Sequence, residues 1–431
     1  MVQYNLLMKA FLVLFISRAV AQVCLNKLNL SYLHRRRSHI PDEFRDTVDQ
    51  RKFENILNYT LDSDRFVLWT TLMGEGIFLV LLLVGFFPWL ERRIEGWQWN
   101  LTLSGLAFFG ILSLLINLLR IPPNLYETFA IEGRYGFNTL TIKTWVVDLA
   151  KGLVLFTLLG GALLWLLLSL MNHGGRMWWL WAWLFVGGFE LLLLWLFPVA
   201  VAPLFNKFEP IEDRTLEDRI RSLMAGVGLH VKGVFKMDAS KRSKHTNAFF
   251  TGIGRTKRIV LFDTLLQSHP EEEVLGIIAH EAGHWKRRHI LKEIVFAEVL
   301  SLLLFYGASR FLDWPAFYQT FGFQEARTYV GLFLIGTFLS PLGYFVQPAA
   351  AAISRRFERE ADEFSLKLMK TAGPLCSALR RLAADNLENL DPHPLYAWFY
   401  FSHPPLAERI RRLNAIGDSG NGETTGVRRQ T

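Results

Sequence analysis

Residues 280–284 read His-Glu-Ala-Gly-His. On a helix turning about 100° per residue, the two histidines lie about 40° apart on one face, so both imidazoles can reach a single tetrahedral ion. Glu281 points beside them, where its carboxylate can take a proton from an attacking water, and the implied chemistry is metal-assisted hydrolysis. The competing reading is a chance occurrence on an amphipathic helix with two ordinary surface histidines. The preceding residues weigh against it. Ser268-His269-Pro270-Glu271-Glu272-Glu273 is a strong helix start, with a proline in the first turn and three carboxylates at the positive end of the dipole.

Only Cys24 and Cys376 occur, far apart and without a CxxC partner, so a thiolate metal site and a disulfide framework are both excluded. The expected cofactor is one zinc ion held by nitrogen and oxygen. His289 would be turned about 140° from His284 on a continuing helix, which reads as a surface position. The extended pattern with a third histidine six residues on fails, because Ile290 stands there. Glu358, within Ser354-Arg355-Arg356-Phe357-Glu358-Arg359-Glu360-Ala361-Asp362, is the best third ligand. Two histidines and a glutamate leave one position open, as a catalytic site requires. Asp362 lies one turn further on the same face, suited to bonding a ligand imidazole or passing on a proton. The alternative makes these residues surface charges, with Glu358 pairing Arg355 or Asp362 pairing Arg359.

These residues must be positioned by a chain rich in large apolar side chains: 51% of its 431 residues are hydrophobic, with 35 Phe and 14 Trp. Runs long enough to cross a hydrocarbon core of about 30 Å lie at 67–90, 99–119, 145–171 and 177–205. Residues 290–312 and 330–353 supply two more, the first carrying Lys292, Glu293 and Glu298. An N-terminal run near 4–21 brings the total to about seven. That run could instead be a leader, since Phe11–Ile16 precedes Ala19-Val20-Ala21.

With seven spans, parity puts the loops 22–66 and 120–144, the polar segment 206–289 and the segment from 354 on one side. That side holds Arg35-Arg36-Arg37, Arg51-Lys52, Lys241-Arg242, Lys257-Arg258 and Arg287-Arg288, whereas the other holds little beyond Arg92, Arg93, Arg176 and Arg327. The rich side is therefore expected to be cytoplasmic, and the net charge of +8 reads as this asymmetry rather than as a nucleic-acid footprint. Two spans separate His284 from Glu358, which returns the chain to the same face.

Glu75, Asp148, Lys151, Glu190 and Glu298 fall inside apolar runs and must face one another or a wet interior, unless those near helix ends reach the interface. In the polar segment, Lys257–Leu266 and His245–Thr251 read as strands joined by a turn at Gly252 and Gly254. The expected organisation is a transmembrane unit over 1–205 with about five helices. A peptidase unit follows over 206–415, including the helices 290–312 and 330–353. A tail over 416–431 is too poor in apolar residues to order itself.

At these residues the sequence resembles the Ste24-type CAAX prenyl proteases of peptidase family M48. The matching segments are Tyr135-Gly136-Phe137-Asn138, Ala202-Pro203-Leu204-Phe205-Asn206-Lys207-Phe208, Thr246-Asn247-Ala248-Phe249, Lys257–Leu266, the HExxH, Glu358 with Asp362, and Ser402-His403-Pro404-Pro405-Leu406-Ala407-Glu408-Arg409. Asn206 departs from the family, which usually shows Asp. The resemblance implies a mainly α integral membrane fold, with seven helices around a chamber and a zincin-type (gluzincin) domain carrying a small sheet. It implies His280, His284 and Glu358 as zinc ligands, Glu281 as the base, and Asp362 as a supporting acid. His403 would face the oxyanion, with Arg409 orienting it or a substrate carboxylate. From spacing alone, His-Pro-Pro simply opens a helix that Arg409 decorates, and His393 is a weaker alternative. Asn247, Ala248 and Phe249 would bind peptide by edge pairing, although an ordinary strand reads the same way.

Three functions compete. The first is an endopeptidase acting on C-terminal CAAX tails, prenylated or not, in a bacterial inner membrane or the endoplasmic reticulum, with its catalytic side cytoplasmic. The second is a membrane-protein quality-control protease resembling the HtpX branch, whose chains carry fewer helices. The third is a non-catalytic lipid-binding transporter or scaffold, which the full set of ligands and base argues against.

Overall fold

A computed structural model describes residues 2–252 and 257–425. Six of its helices are long and apolar enough to cross a membrane: α1 (Leu6–Arg35), α2 (Gln50–Leu83), α3 (Leu101–Arg134), α4 (Ile142–His173), α5 (Gly175–Phe205) and a longer one over Thr328–Met369. Their starts are written locally. Asn5, Asp49, Asn100 and Thr141 each accept a backbone N–H three residues on, satisfying donors that a helix start leaves bare. The apolar run 67–90 does not form one helix, because Gly85 adopts a left-handed conformation (φ 77°) and a short amphipathic helix, Phe86–Glu95, follows. Helix α3, by contrast, continues through Pro122 and Pro123 to Arg134.

The polar segment folds as β1 (Phe208–Pro210), α6 (Arg214–Gly226), β2 (Gly233–Met237), β3 (Ala248–Thr251) and β4 (Arg258–Phe262), followed by α7 (Glu271–Lys286). The strand order is β1-β2-β4-β3, with β2 and β4 parallel and the other pairs antiparallel, so β3 is an edge. The expected strand over Lys257–Leu266 ends at Phe262, where a helical turn takes over, and Gly254 of the expected turn lies outside the described residues. The chain continues through α8 (His289–Phe311), α9 (Thr328–Met369), α10 (Gly373–Asp385), α11 (Pro394–Tyr400) and α12 (Leu406–Thr425). Of the tail expected over 416–431, residues 426–431 lie outside the described residues, and the α12 backbone before them is helical through Thr425. Propagating an established helix costs far less than starting one, and its first half is anchored by the buried Ile410 and Leu413.

The helices contact one another in the cyclic order α1, α2, α3, α4, α5, α8, α9 and back to α1. The seventh wall, α8, is not among those six and carries Lys292, Glu293, Glu298 and Arg310, yet it closes the ring. At one end the ring is plugged by a core including Met8, Phe11, Phe108, Leu168, Phe321 and Tyr329. At the other sits the sheet with α7 and α10, around Ile220, Ile259, Leu261, Leu265 and Ile278. Burying large aromatic and aliphatic side chains at both ends fixes the helices. The wall between them leaves large apolar side chains such as Leu114, Val154 and Leu191 exposed.

Loops expected to share the catalytic side do so. Asn138 bridges Ser243, Arg242 holds Asp148 at 2.9 Å, Arg36 pairs with Asp391 at 2.7 Å, and Arg380 donates to the Glu43 carbonyl. At the opposite end Arg327 pairs with Glu91 at 2.8 Å and Thr328 donates to Asn172. Within the membrane, Glu75 is met by Arg18 of α1 at 2.7 Å, and Arg18 also donates to Ser340. Asp148 is thus tied to the sheet domain, Lys151 donates to the Leu204 carbonyl, and Glu190 stays exposed, which in a membrane span requires a hydrated face.

Candidate active site

Helices α7 and α9 cross in tight contact where Gly283 meets Ala361. That approach brings His280 and His284, on one face of α7, against Glu358 of α9. His280 Nε2 and His284 Nε2 are 3.3 Å apart, and each lies 3.3 Å from a Glu358 carboxylate oxygen. Metal bonds of about 2.0–2.1 Å in a tetrahedron give ligand atoms roughly 3.3–3.4 Å apart, the spacing seen here, with His280 facing Glu358 Oε2 and His284 facing Oε1. Glu358 Oε2 is buried with no well-formed hydrogen bond, its nearest cationic neighbours being His280 Nε2 at 3.3 Å and Arg409 at 3.8 Å, a setting that suits an atom meant for a cation. The three residues are the group among the described residues that could hold a metal ion.

The remaining nitrogen of His280 is anchored. Its Nδ1 is 2.8 Å from Asp362 Oδ1, and Asp362 in turn accepts two bonds from Arg409 at 2.6 and 2.9 Å. Burial works against a charge on His280, but the Asp362 and Glu358 carboxylates outweigh it and push the imidazole up to about 9 when no cation is present. Arg409 is itself buried, and Asp362 holds its charge against that burial. The alternative pairings do not form: Arg355 donates to the Phe401 carbonyl and Arg359 to Glu408.

The ligand triangle opens on a cavity of about 580 Å³, lined among others by Asn247, Ala248, Glu281, His403 and Arg409. Glu281 is half-buried on its wall. His403 is mostly exposed, and its Nε2 lies 3.2 Å from Glu358 Oε1. His393 is elsewhere: it caps α11 and packs edge-on against Tyr32. Phe262 N–H donates to the Asn247 carbonyl, so in the antiparallel alternation Asn247 and Phe249 turn their backbone groups to β4. Ala248 and Phe250 present theirs at the free edge, where the Ala248 N–H is held by Asn247 Oδ1 at 2.7 Å.

His289 is not a surface residue. Helix α7 ends at Lys286, and Arg288, in a left-handed conformation (φ 56°), turns the chain so that His289 folds back behind His284 with 1% of its surface exposed. The expected 140° assumed one continuing helix. Asn386 and Glu388 were also missed. Asn386 receives the Thr246 N–H and donates to the Thr246 carbonyl, holding the segment that leads into β3. Glu388 lines the cavity with its side chain exposed there. An Asn after a helix reads only as a cap, so nothing local signalled either role.

Residues 29–207 match the family described as CAAX prenyl protease N-terminal, five membrane helices, and residues 210–416 match peptidase family M48. The chain is 32% identical to CAAX prenyl protease 1 of Saccharomyces cerevisiae, over 88% of this chain and 89% of that protein. It is 33% identical to the CAAX prenyl protease 1 homolog of Arabidopsis thaliana (87% and 90% covered) and 32% identical to that of Homo sapiens (89% and 90%). The crystal structure of S. mikatae Ste24p superposes with a TM-score of 0.88 at 31% identity, covering 94% of this chain and 98% of that one. The similarity thus runs along both halves of the chain and its whole fold, and this chain belongs to peptidase family M48 as a membrane metalloendopeptidase.

Proposed function

We propose that the chain is a zinc-dependent endopeptidase that processes prenylated CAAX-type C-terminal tails entering from the cytoplasm. One observation carries this reading: the 3.3 Å triangle of His280, His284 and Glu358 faces a cavity bordered by the free edge of β3, at the mouth of a closed helix ring. One zinc ion held by those three residues would polarise water and the scissile carbonyl. Glu281 takes the proton of the attacking water and returns it to the leaving amine. Asn247, Ala248 and Phe249 bind the peptide as an added strand, through the backbone groups of Ala248 and Phe250 at the edge. Asn247 Oδ1 must then release the Ala248 N–H.

His403 donates to the charge developing on the carbonyl oxygen. Asp362 fixes the His280 ring, and Arg409 holds Asp362, so its guanidinium acts through that carboxylate. The prenyl group rests on the apolar helix wall, where burial contributes roughly 25 cal/mol per Å². The basic loops on the catalytic side support a cytoplasmic orientation. The similarity to proteins named CAAX prenyl proteases supports the substrate class.

The test uses the purified chain in detergent with a farnesylated peptide ending in a CAAX sequence, read by mass spectrometry. Loss of the last three residues is expected, abolished by chelation and restored by zinc. Cleavage indifferent to chelation refutes the metal, and equal cleavage of unprenylated internal loops refutes the substrate.

A further inference from the structure

The His284 ring has one nitrogen committed to the ligand triangle, Nε2, and its other nitrogen, Nδ1, points away from it. That Nδ1 lies 3.1 Å from Nδ1 of His289, whose Nε2 lies 3.2 Å from Glu360 Oε2. Only one proton arrangement satisfies all three groups. With Nε2 of His284 bare for a metal, its Nδ1 carries the proton and donates to a bare His289 Nδ1. The His289 proton is then on Nε2 and is donated to the Glu360 carboxylate. Arg356 fixes the far end by donating to Glu360 Oε1 at 3.1 Å. His280 reaches its carboxylate, Asp362, directly, whereas His284 reaches one through a second imidazole. We propose that His289 is a positioning residue for the metal site, and that the chain His284–His289–Glu360 sets the tautomer and ring orientation of His284. The inference rests on the metal-site reading above.

A purely packing role is the rival. The His289 ring stacks on Phe357 with centroids 4.3 Å apart and planes 8° apart, so it also fills space. Substitutions separate the two roles. His289→Phe keeps a flat ring on Phe357 but cannot accept from His284. His289→Gln gives up the stack but keeps an acceptor and a donor. Zinc affinity is measured on the purified full chain by competition with a chelator, together with melting of the zinc-free protein. Loss of a hydrogen bond behind a ligand histidine costs about 10–100-fold in metal affinity. That loss is expected for His289→Phe, with zinc-free melting near wild type and peptidase activity returning at saturating zinc. His289→Gln should recover most of the affinity while melting lower. Glu360→Ala, at the accessible end of the chain, should weaken zinc by a smaller factor in the same direction. Wild-type affinity in both His289→Phe and Glu360→Ala overturns the proposal, as does equal weakening in His289→Phe and His289→Gln. A wild-type chain that takes up no zinc overturns the metal site itself, a distinguishable failure.

Discussion

Gly283 lies against the backbone of Ala361 so closely that a Cβ on Gly283 would come within 2.8 Å of Ala361 Cα and 3.1 Å of its carbonyl oxygen. The contact is between two helix backbones, which cannot yield as a flexible side chain would. It sets the spacing at which α7 and α9 present the ligand triangle. Gly283→Ala should therefore separate the helices, at a cost of about 1–3 kcal/mol for overpacking, and stretch the His284–Glu358 distance. Thermal unfolding and zinc titration of the variant check this; unchanged zinc affinity would mean that the helix spacing does not set the site.

Asp362→Asn should hurt folding as well as metal binding. Asp362 is the shared acceptor of His280 and Arg409, and Arg409 has 7% of its surface exposed. Removing one partner of a buried pair leaves an uncompensated charge, worth about 3–5 kcal/mol. The double variant Asp362→Asn/Arg409→Met should regain stability, because it removes the stranded cation, yet it should not regain zinc affinity. Recovery of both would place Asp362 outside the metal site.

How far the sequence disclosed this arrangement depends on range. His280, His284 and Glu281 are legible because the four-residue period of a helix carries the geometry, and Glu358 because it shares a helix face with Asp362 one turn on, with the count of spans as a check on its side of the membrane. His289 was misread because the left-handed turn at Arg288 breaks the period between it and His284. The strands β1 and β2 went unseen, since Phe-Glu-Pro and Gly-Val-Phe-Lys-Met are too short and mixed to show alternation. The closure of the ring by α8 and the hold of Asn386 on Thr246 are tertiary facts with no local trace.

Zinc affinity should rise with pH. The neighbouring carboxylates raise His280 to about 9 in the metal-free protein, so at neutral pH a proton occupies the ring that the metal must take. Below that pKa binding releases one proton, and affinity climbs about tenfold per pH unit until the ring is already neutral near pH 9. Chelator competition between pH 6 and 8 reads the slope. A flat profile would show that His280 is neutral before zinc arrives.

Glu281→Gln should keep zinc and lose peptidase activity. The side chain sits on the cavity wall outside the ligand triangle, and glutamine preserves its size while removing the base. Loss of a positioned general base lowers rates by about 10²–10⁴-fold. Metal analysis and single-turnover cleavage are the paired measurements, and an active variant would require another base.

The last expectation concerns sidedness and access together. Arg242, next to Lys241, is tied to Asp148 at the catalytic end, whereas Arg176 lies in the first turn of α5, at the end that faces away. In a chain whose Cys24 and Cys376 are replaced, a cysteine at Lys241 should be shielded from an impermeant label in intact cells, and one at Arg176 should react. If the catalytic end faces the cytoplasm, a substrate must also thread a narrow tail into the ring, because a folded domain cannot pass between packed helices. Shortening the unstructured tail between a folded domain and the cleavage site should abolish cutting, while removal of the lipid should weaken it only by degrees, since the lipid contributes binding and not chemistry. Labelling of the Lys241 position from outside would invert the topology, and equal cleavage of intact folded proteins would mean that the ring does not enclose the site.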